Sequence, residues 1–401
     1  MSRWPVAGDV ELVARAERAR VLAAVARDVR DLELAEDAVQ DALLAAWRSW
    51  PRDGVPDRPG AWLTTVARRA ALAGLRARPA LLVDDAQLEA LAAPPQREAP
   101  LPDAQLELLF ACCHPALALR DQVALTLRTV AGLTTEEIAA GFLIEPVALA
   151  QRLVRAQRRI RDSGIPFRVP ERDRLAERLD GVLGAIYLVY TEAHADVRVD
   201  LAEEAVRLAR LVATLLPGEP EALGLAALVL AHDARRPARV DPARGTVPLS
   251  AQDRSAYDRD RLAEASRLLD RALELGRSGP CQVQAAIALL HGTAPSVAAT
   301  DWKQIAALYA TLAALQPGPV VALNHAAAIG MADGPEAGLA AIASVDGLEA
   351  HPLLHATRAE LLARAGHRDE AIAAYRLALA TLGPGDASAE DVRARIARLA
   401  L

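Results

Sequence analysis

LTTEEIAAGFLIEPVALAQRLVRAQRRIR, residues 133–161, is the stretch whose reading decides the fold. Thr134 or Thr135 can cap a first helix, with Glu137 and Ile138 following as an acid and an apolar inner residue. The pattern breaks at Gly141-Phe142-Leu143-Ile144, and Pro146 suits the first turn of a second helix. There Val147, Leu153, Val154 and Ile160 supply apolar positions, while Gln151, Arg152, Arg155 and Arg159 lie on another side. Five arginines and one aspartate between 148 and 162 make a cationic strip. A helix-turn-helix of this kind can set its second helix against phosphates. A solvated helix face accounts for the strip equally well.

The rest of the 401-residue chain is helical in the same way. Alanine and leucine dominate, aromatics make up 3%, and no Val/Ile/Thr-rich alternating run of strand length stands out. The expected class is all-α, with length enough for two or three domains. The net charge of −6 argues against a nucleic-acid binder only as an average. Residues 1–170 hold 22 basic and 22 acidic side chains, and residues 171–401 hold 24 and 30. The basic charge is clustered in two short segments, and clusters decide binding. Lys303 is the one lysine, so nearly every basic site has guanidinium chemistry.

Several classes are disfavoured. The opening MSRWPVAGDVELVARAERAR lacks an apolar core, and no apolar run reaches membrane-spanning length uninterrupted. A cytoplasmic protein without membrane contact is expected. Three cysteines, two of them adjacent, are no disulfide framework. Cys112-Cys113-His114 offers at most three metal ligands, with no second pair nearby to close a tetrahedral site. These three read first as helix-end residues, and only then as a redox or metal site. With no P-loop, no G-x-S-x-G and no carboxylate pair tied to a nucleophile, neither an enzyme, a cofactor nor a metal is expected.

Punctuation divides the chain. A helical block over 1–78 contains the turn-rich connector PRDGVPDRPG at 51–60, and a linker over 79–103 carries five prolines. A second block covers 104–165, and DSGIPFRVP at 162–170 is a hinge into helices over 171–401. Breaks at LLPGEP (215–220), LGRSGP (275–280), LQPGP (315–319) and LGPGD (382–386) suggest paired helices of an α-solenoid, with a generic bundle as the alternative. The last unit, 351–381, fits a tetratricopeptide repeat best: Ala359 and Ala371 allow close contact, Gly366 turns, and Tyr375 and Ala378 pack. Segments 201–230 and 260–276 look like half or degenerate repeats. The polar insertion 232–260 is long enough to serve as an interdomain contact or a ligand loop.

Three motifs in order carry a resemblance. They are DLELAEDAVQDALLAAWRSWP at 31–51, GAWLTTVARRAALAGLRAR at 60–78, and the helix-turn-helix within 123–161. Over roughly residues 10–165 the chain resembles bacterial sigma factors of the extracytoplasmic-function type. The resemblance implies sigma region 2 over 1–78 and region 4 over 104–165. It also implies two partners, core RNA polymerase (its β′ clamp and β flap) and promoter DNA. Glu36, Asp37, Gln40, Asp41 and Trp47 would meet polymerase; the acids at 31–41 lack any basic neighbour and suit a basic coiled coil. Dipole-favoured acids on an ordinary surface helix would look the same. Trp62, Thr65, Arg68, Arg69 and Arg76 would hold the melted −10 strand by stacking and backbone contacts. Gln151, Arg152, Arg155 and Arg159 would read the −35 duplex.

There are departures: Gly74 stands where the family commonly has aspartate, and Pro79 cuts short the usual basic run. LELLFACCHPAL at 106–117, IPF at 165–167 and HDARRPAR at 232–239 resemble the members bearing a tetratricopeptide-like extension. That likeness implies that 171–401 modulates the sigma unit through an intramolecular contact. The alternative is a helix-turn-helix regulator with a helical-repeat sensor, acting without polymerase.

Overall fold

A computed structural model describes residues 7–77, 101–142, 144–195, 199–241, 245–382 and 388–400. The described residues are all-helical but for a hairpin of two two-residue strands, Val240–Asp241 against Gly245–Thr246. It divides into two compact units, Met1–Leu215 and Leu216–Leu401. The proline-rich linker expected at 79–103 lies largely outside the described residues.

In the first unit, α1 (Ala7–Val29), α2 (Leu32–Asp53) and α3 (Pro59–Ala77) pack on one another. The reason is periodic: Leu63, Ala67, Ala71 and Leu75 recur every four residues on α3 and are all buried. Alanine at these positions keeps the axes close. So does Gly74, where an added Cβ would fall 2.7 Å from Leu34 Cδ1. Trp50 is buried in this core while Trp47, three residues earlier, is 51% exposed. The connector expected from 51 starts late, because α2 carries Pro51 inside its last turn and ends at Asp53.

Next come α4 (Leu101–Cys112) and α5 (Leu119–Thr126), which runs into a π-helical turn, Leu127–Ala131, ended by Gly132 at φ 76°. Thr134 caps α6 (Thr135–Gly141) in a closed capping box: its Oγ1 accepts from Glu137 N at 3.1 Å, and its own N donates to Glu137 Oε2 at 2.7 Å. Pro146 then opens α7 (Pro146–Asp162). The buried stripe of α7 is Leu149, Leu153, Ala156, Gln157 and Ile160. Val147, expected in that stripe, is 70% exposed; it sits in the first turn, half a helical turn away from Leu149.

The unit does not stop near 171. Two more helices, α8 (Arg172–Ala195) and α9 (Val199–Leu215), pack on each other, and both meet α4. Arg178 donates from Nη2 to Phe110 O, and a Cβ at Gly181 would stand 3.2 Å from Cys113 O. The helix pair expected over 201–230 is therefore split between units, its first helix in one and its second in the other.

The second unit begins with α10 (Pro220–Asp233) and continues with α11 (Arg259–Glu274), α12 (Pro280–Thr293), α13 (Trp302–Leu315) and α14 (Pro319–Ala332). It ends with α15 (Pro335–Ile342), α16 (Pro352–Arg364), α17 (Arg368–Thr381) and α18 (Ser388–Ala400). Pro220, Pro280 and Pro319 each start a helix after a predicted break. Small successive cores follow along the chain, such as Val283, Ile287, Ile305 and Leu312, then Leu323, Ile342 and Leu361, then Ala359, Ala371 and Tyr375. Gly366 makes the turn between α16 and α17 at φ 84°.

The insertion 232–260 is folded into this unit. Asp233, at the end of α10, pairs with Arg236 at 3.3 Å and with Arg261 of α11. Buried Tyr257 donates to Gln252 Oε1 at 3.0 Å, and Gln252 Nε2 to Val247 O at 2.9 Å.

Candidate polymerase and nucleic-acid interfaces

Helix α2 has two charged faces, one turned into the protein and one turned out. Asp31 caps it, accepting from Leu34 N at 3.2 Å on Oδ1; its Oδ2 accepts from Arg161 Nη1 at 3.3 Å. One turn on, Glu36 reaches α7, accepting from Gln157 Nε2 at 2.9 Å and more loosely from Thr129 Oγ1 at 3.5 Å. Burial raises the Glu36 carboxyl above its ordinary value, and the nearby Arg18 and Arg128 oppose that rise. Arg18 is held in place by the Arg128 and Thr129 carbonyls at 3.3 and 3.4 Å. Asp31 and Glu36 thus tie the first helical block to the end of α7.

The outward face holds Asp37, Gln40, Asp41, Leu44 and Trp47, all exposed. They follow each other at three- and four-residue steps, one continuous stripe. Leu44, 53% exposed beside Trp47, extends this stripe and was not among the residues expected on it. Its signal was the Leu44–Trp47 spacing, an apolar pair on an otherwise charged face. Of the five residues expected at this interface, four share the outer stripe, and Glu36 stands on the inner one.

On α3 the arginines divide as well. Arg68 donates from Nε to Asp28 Oδ2 at 2.8 Å and is committed to α1. Burial raises the Asp28 carboxyl, against the pull of Arg68. Arg69 and Arg76 are exposed. Trp62 is half-buried, its ring edge-on to Trp50 at 5.4 Å and 61°, and Thr65 donates to Ala61 O at 2.9 Å. A tryptophan anchored on one side keeps its remaining surface available for stacking.

On α7, Arg152 lies 3.6 Å from Asp121 and Arg159 donates to Ala116 O at 2.6 Å. Gln151 and Arg155 are exposed, and so is Arg158, one turn beyond Arg155. Gln151, Arg155 and Arg158 form the open polar stripe of the helix; Arg158 was not among the residues expected there. Arg161 and Gln157 face α2 instead. Cys112 and Cys113 are fully buried, with Cys113 Sγ 3.4 Å from Thr126 Oγ1. Burial pushes the Cys113 thiol up to about 11 and Cys112 well above its ordinary value, which suppresses thiolate chemistry.

Comparison with known proteins places these helices. Residues 13–79 match the Sigma-70 region 2 family, and residues 178–273 match a family of unknown function (DUF6596). The chain is 39% identical over 411 residues to Uncharacterized protein R00370 of Rhizobium meliloti (strain 1021), covering 98% of this chain and 96% of that one. The chain belongs to the same family as R00370, and it carries a sigma-70 region 2 domain. That domain supports a sigma-factor-like role in transcription initiation, with core RNA polymerase and promoter DNA as partners. The region 2 match covers most of α1 and all of α2 and α3, including the acidic–aromatic stripe and the Trp62 arginine helix. No described helix is long and apolar enough to cross a membrane.

Proposed function

We propose that the protein is a sigma factor of the extracytoplasmic-function type whose C-terminal helices modulate it. The observation that carries this reading is that the region 2 match falls on two helices with contrasting outer faces. The α2 stripe of Asp37, Gln40, Asp41, Leu44 and Trp47 suits a basic, partly apolar partner, the β′ clamp of core polymerase. Helix α3 offers Trp62, Thr65, Arg69 and Arg76 to a melted −10 strand, with Arg68 holding the helix on α1. The pair α6–α7 acts as the helix-turn-helix, with Gln151, Arg155 and Arg158 toward the −35 duplex and Arg152 and Arg159 at its edges. Contact with the β flap belongs to this second block.

The packing of α2 on α7 supports a closed resting form. Elements 25 base pairs apart are separated by roughly 85 Å on straight DNA at about 3.4 Å per pair. Helices joined through Glu36–Gln157 and Asp31–Arg161 cannot reach both. Binding polymerase then requires these contacts to part. The helices α8 and α9, seated on α4 and α5, are the part of the C-terminal chain best placed to favour the closed form, and α10–α18 would be tetratricopeptide-like.

The test is co-purification of the full chain with core RNA polymerase, wild type against Asp37→Arg/Asp41→Arg. Retention of wild type and loss of the variant are expected. Wild type failing to bind, with residues 1–170 failing too, would sink the proposal in favour of a regulator acting without polymerase.

A further inference from the structure

We propose that the second unit contains a binding site for a small molecule with an apolar body and a single carboxylate. A cavity of about 380 Å³ opens between the 232–260 insertion and the later helices α13, α14, α16, α17 and α18. That volume is within the range of small-molecule sites. Val297, Trp302, Ala327, Met331, Leu361 and Val392 give it apolar walls. Trp302 is fixed by its Nε1 donating to Val297 O at 3.1 Å and by an edge-on contact to His291 at 5.2 Å, so the wall is preformed.

The polar part of the wall is unevenly satisfied, and the imbalance identifies the ligand. Glu360 accepts from Tyr375 OH at 2.8 Å and also pairs with Arg395; Asp391 accepts from Arg395 Nε at 2.8 Å. Both acids of the cavity are therefore committed to Arg395. Arg254 is different. It is 8% exposed, and its Nη1 donates to His291 O at 2.6 Å and Ala294 O at 2.8 Å. Its Nη2 is buried with no hydrogen-bond partner. Arg364, exposed, is a second guanidinium on this wall with no carboxylate partner among the described residues.

A buried donor left unmatched on a charged group is costly, and a charge-assisted acceptor is what it lacks. A planar carboxylate matches a guanidinium edge and supplies one charge for the one buried cation. A phosphate dianion would bring more oxygens than this largely apolar wall can satisfy. The bound molecule would join the insertion, through Leu249 and Arg254, to α14, α16 and α18. It would add to the contacts that already hold the insertion in this unit, in keeping with the ligand loop that its length suggested.

The experiment is calorimetric titration of the full-length protein with octanoate, octanol and octylamine. Octanoate is expected to bind at one site, with the alcohol and the amine at least about tenfold weaker. Met331→Trp, which fills the cavity, should abolish octanoate binding while leaving the unliganded melting temperature near wild type. Arg364→Gln should weaken octanoate by about threefold to tenfold. Arg254→Lys keeps a donor for the two carbonyls but loses Nη2, and should weaken octanoate by at least about tenfold. Three results would each overturn the site: no binding by any probe, octanol matching octanoate, or octanoate binding unchanged in both Met331→Trp and Arg254→Lys. None of these readouts depends on polymerase or promoter binding.

Discussion

Each compact unit buries an ionisable node of its own, and these two nodes are built on opposite rules. In the first unit Glu36 lies among Arg18, Arg128 and Gln157, an acid among donors that join α2 to α7. In the second, His232 and His291 lie beside Arg235 and Arg254, bases among bases. Burial dominates both and shifts them in opposite directions: up for the carboxyl, down to about 3 and about 4 for the two imidazoles. The difference teaches what each node is for. The first joins complementary groups on two helices that are proposed to separate in function. The second keeps its imidazoles neutral, so at neutral pH protonation gives it nothing to gain from opening.

The largest expected effect comes from reversing the first node. Glu36→Lys places a third cation beside Arg18 and Arg128, and should destabilise the first unit by about 3–5 kcal/mol. Asp37→Lys, one residue later but on the exposed face, should stay within about 0.5 kcal/mol. Denaturant melts of the two variants decide it. Equal losses would mean that helical phase does not separate the inner from the outer face of α2.

A somewhat smaller effect should follow pH, with opposite sign at the two nodes. The folded imidazoles titrate at about 3 and about 4, below the ordinary 6.5, so the unfolded chain takes up protons first as pH falls. Their contribution is complete above 6.5 and drains toward 4, at up to about 1.4 kcal/mol per pH unit for each ring. Glu36 titrates above its ordinary 4.5, so between those values acidification favours the folded form. Hydrogen exchange at pH 7 and 5.5, corrected for intrinsic rates, should show peptides of 220–293 losing protection. Loss shared equally by peptides of 32–53 would remove the contrast.

The same contrast marks how far the sequence could be read. A cap at Thr134 or Thr135, Pro146 at the start of α7 and the alternation of helix and break were legible, because each depends on residues within a few positions; the structure fixes the cap as Thr134. The arginines expected to meet the −10 and −35 elements were legible as clusters but not as individuals. Whether Arg68 is available or tied depends on Asp28, forty residues away, and Arg161 depends on Asp31, 130 residues away. Trp47 and Trp50 are the same residue type and opposite in burial; phase against Ala42, Ala46 and Val39 separates them. The insertion 232–260 was opaque for the same reason, since its anchors Asp233–Arg261 and Arg254–Ala294 join distant positions.

If the open stripe of α7 is the duplex-reading face, then charge removal there should act on DNA and leave the Glu36 node alone. Arg155→Ala/Arg158→Ala is expected to weaken binding to promoter duplex about tenfold or more, and to lower the salt slope by about two. The melting temperature should not change, because neither side chain has an ion pair among the described residues. Fluorescence anisotropy across a salt series measures both quantities. A full salt slope in the double variant would move DNA contact to Arg152 and Arg159.

The smallest effect should come from Arg161→Ala, and its smallness is informative. Arg161 reaches Asp31 at 3.3 Å and Glu33 at 4.0 Å, but its side chain is 29% exposed and also faces Asp162 at 3.3 Å. Water screens such a bridge, so its removal should cost the first unit about 1 kcal/mol or less. Asp31 keeps its cap on Leu34 N through the other oxygen, so α2 itself should stay intact. The change would then be confined to the α2–α7 contact, read as faster exchange in the last turns of α7 at nearly constant stability. A loss as large as that of Glu36→Lys would instead make Asp31–Arg161 the main tie, with Glu36 a passive buried neighbour.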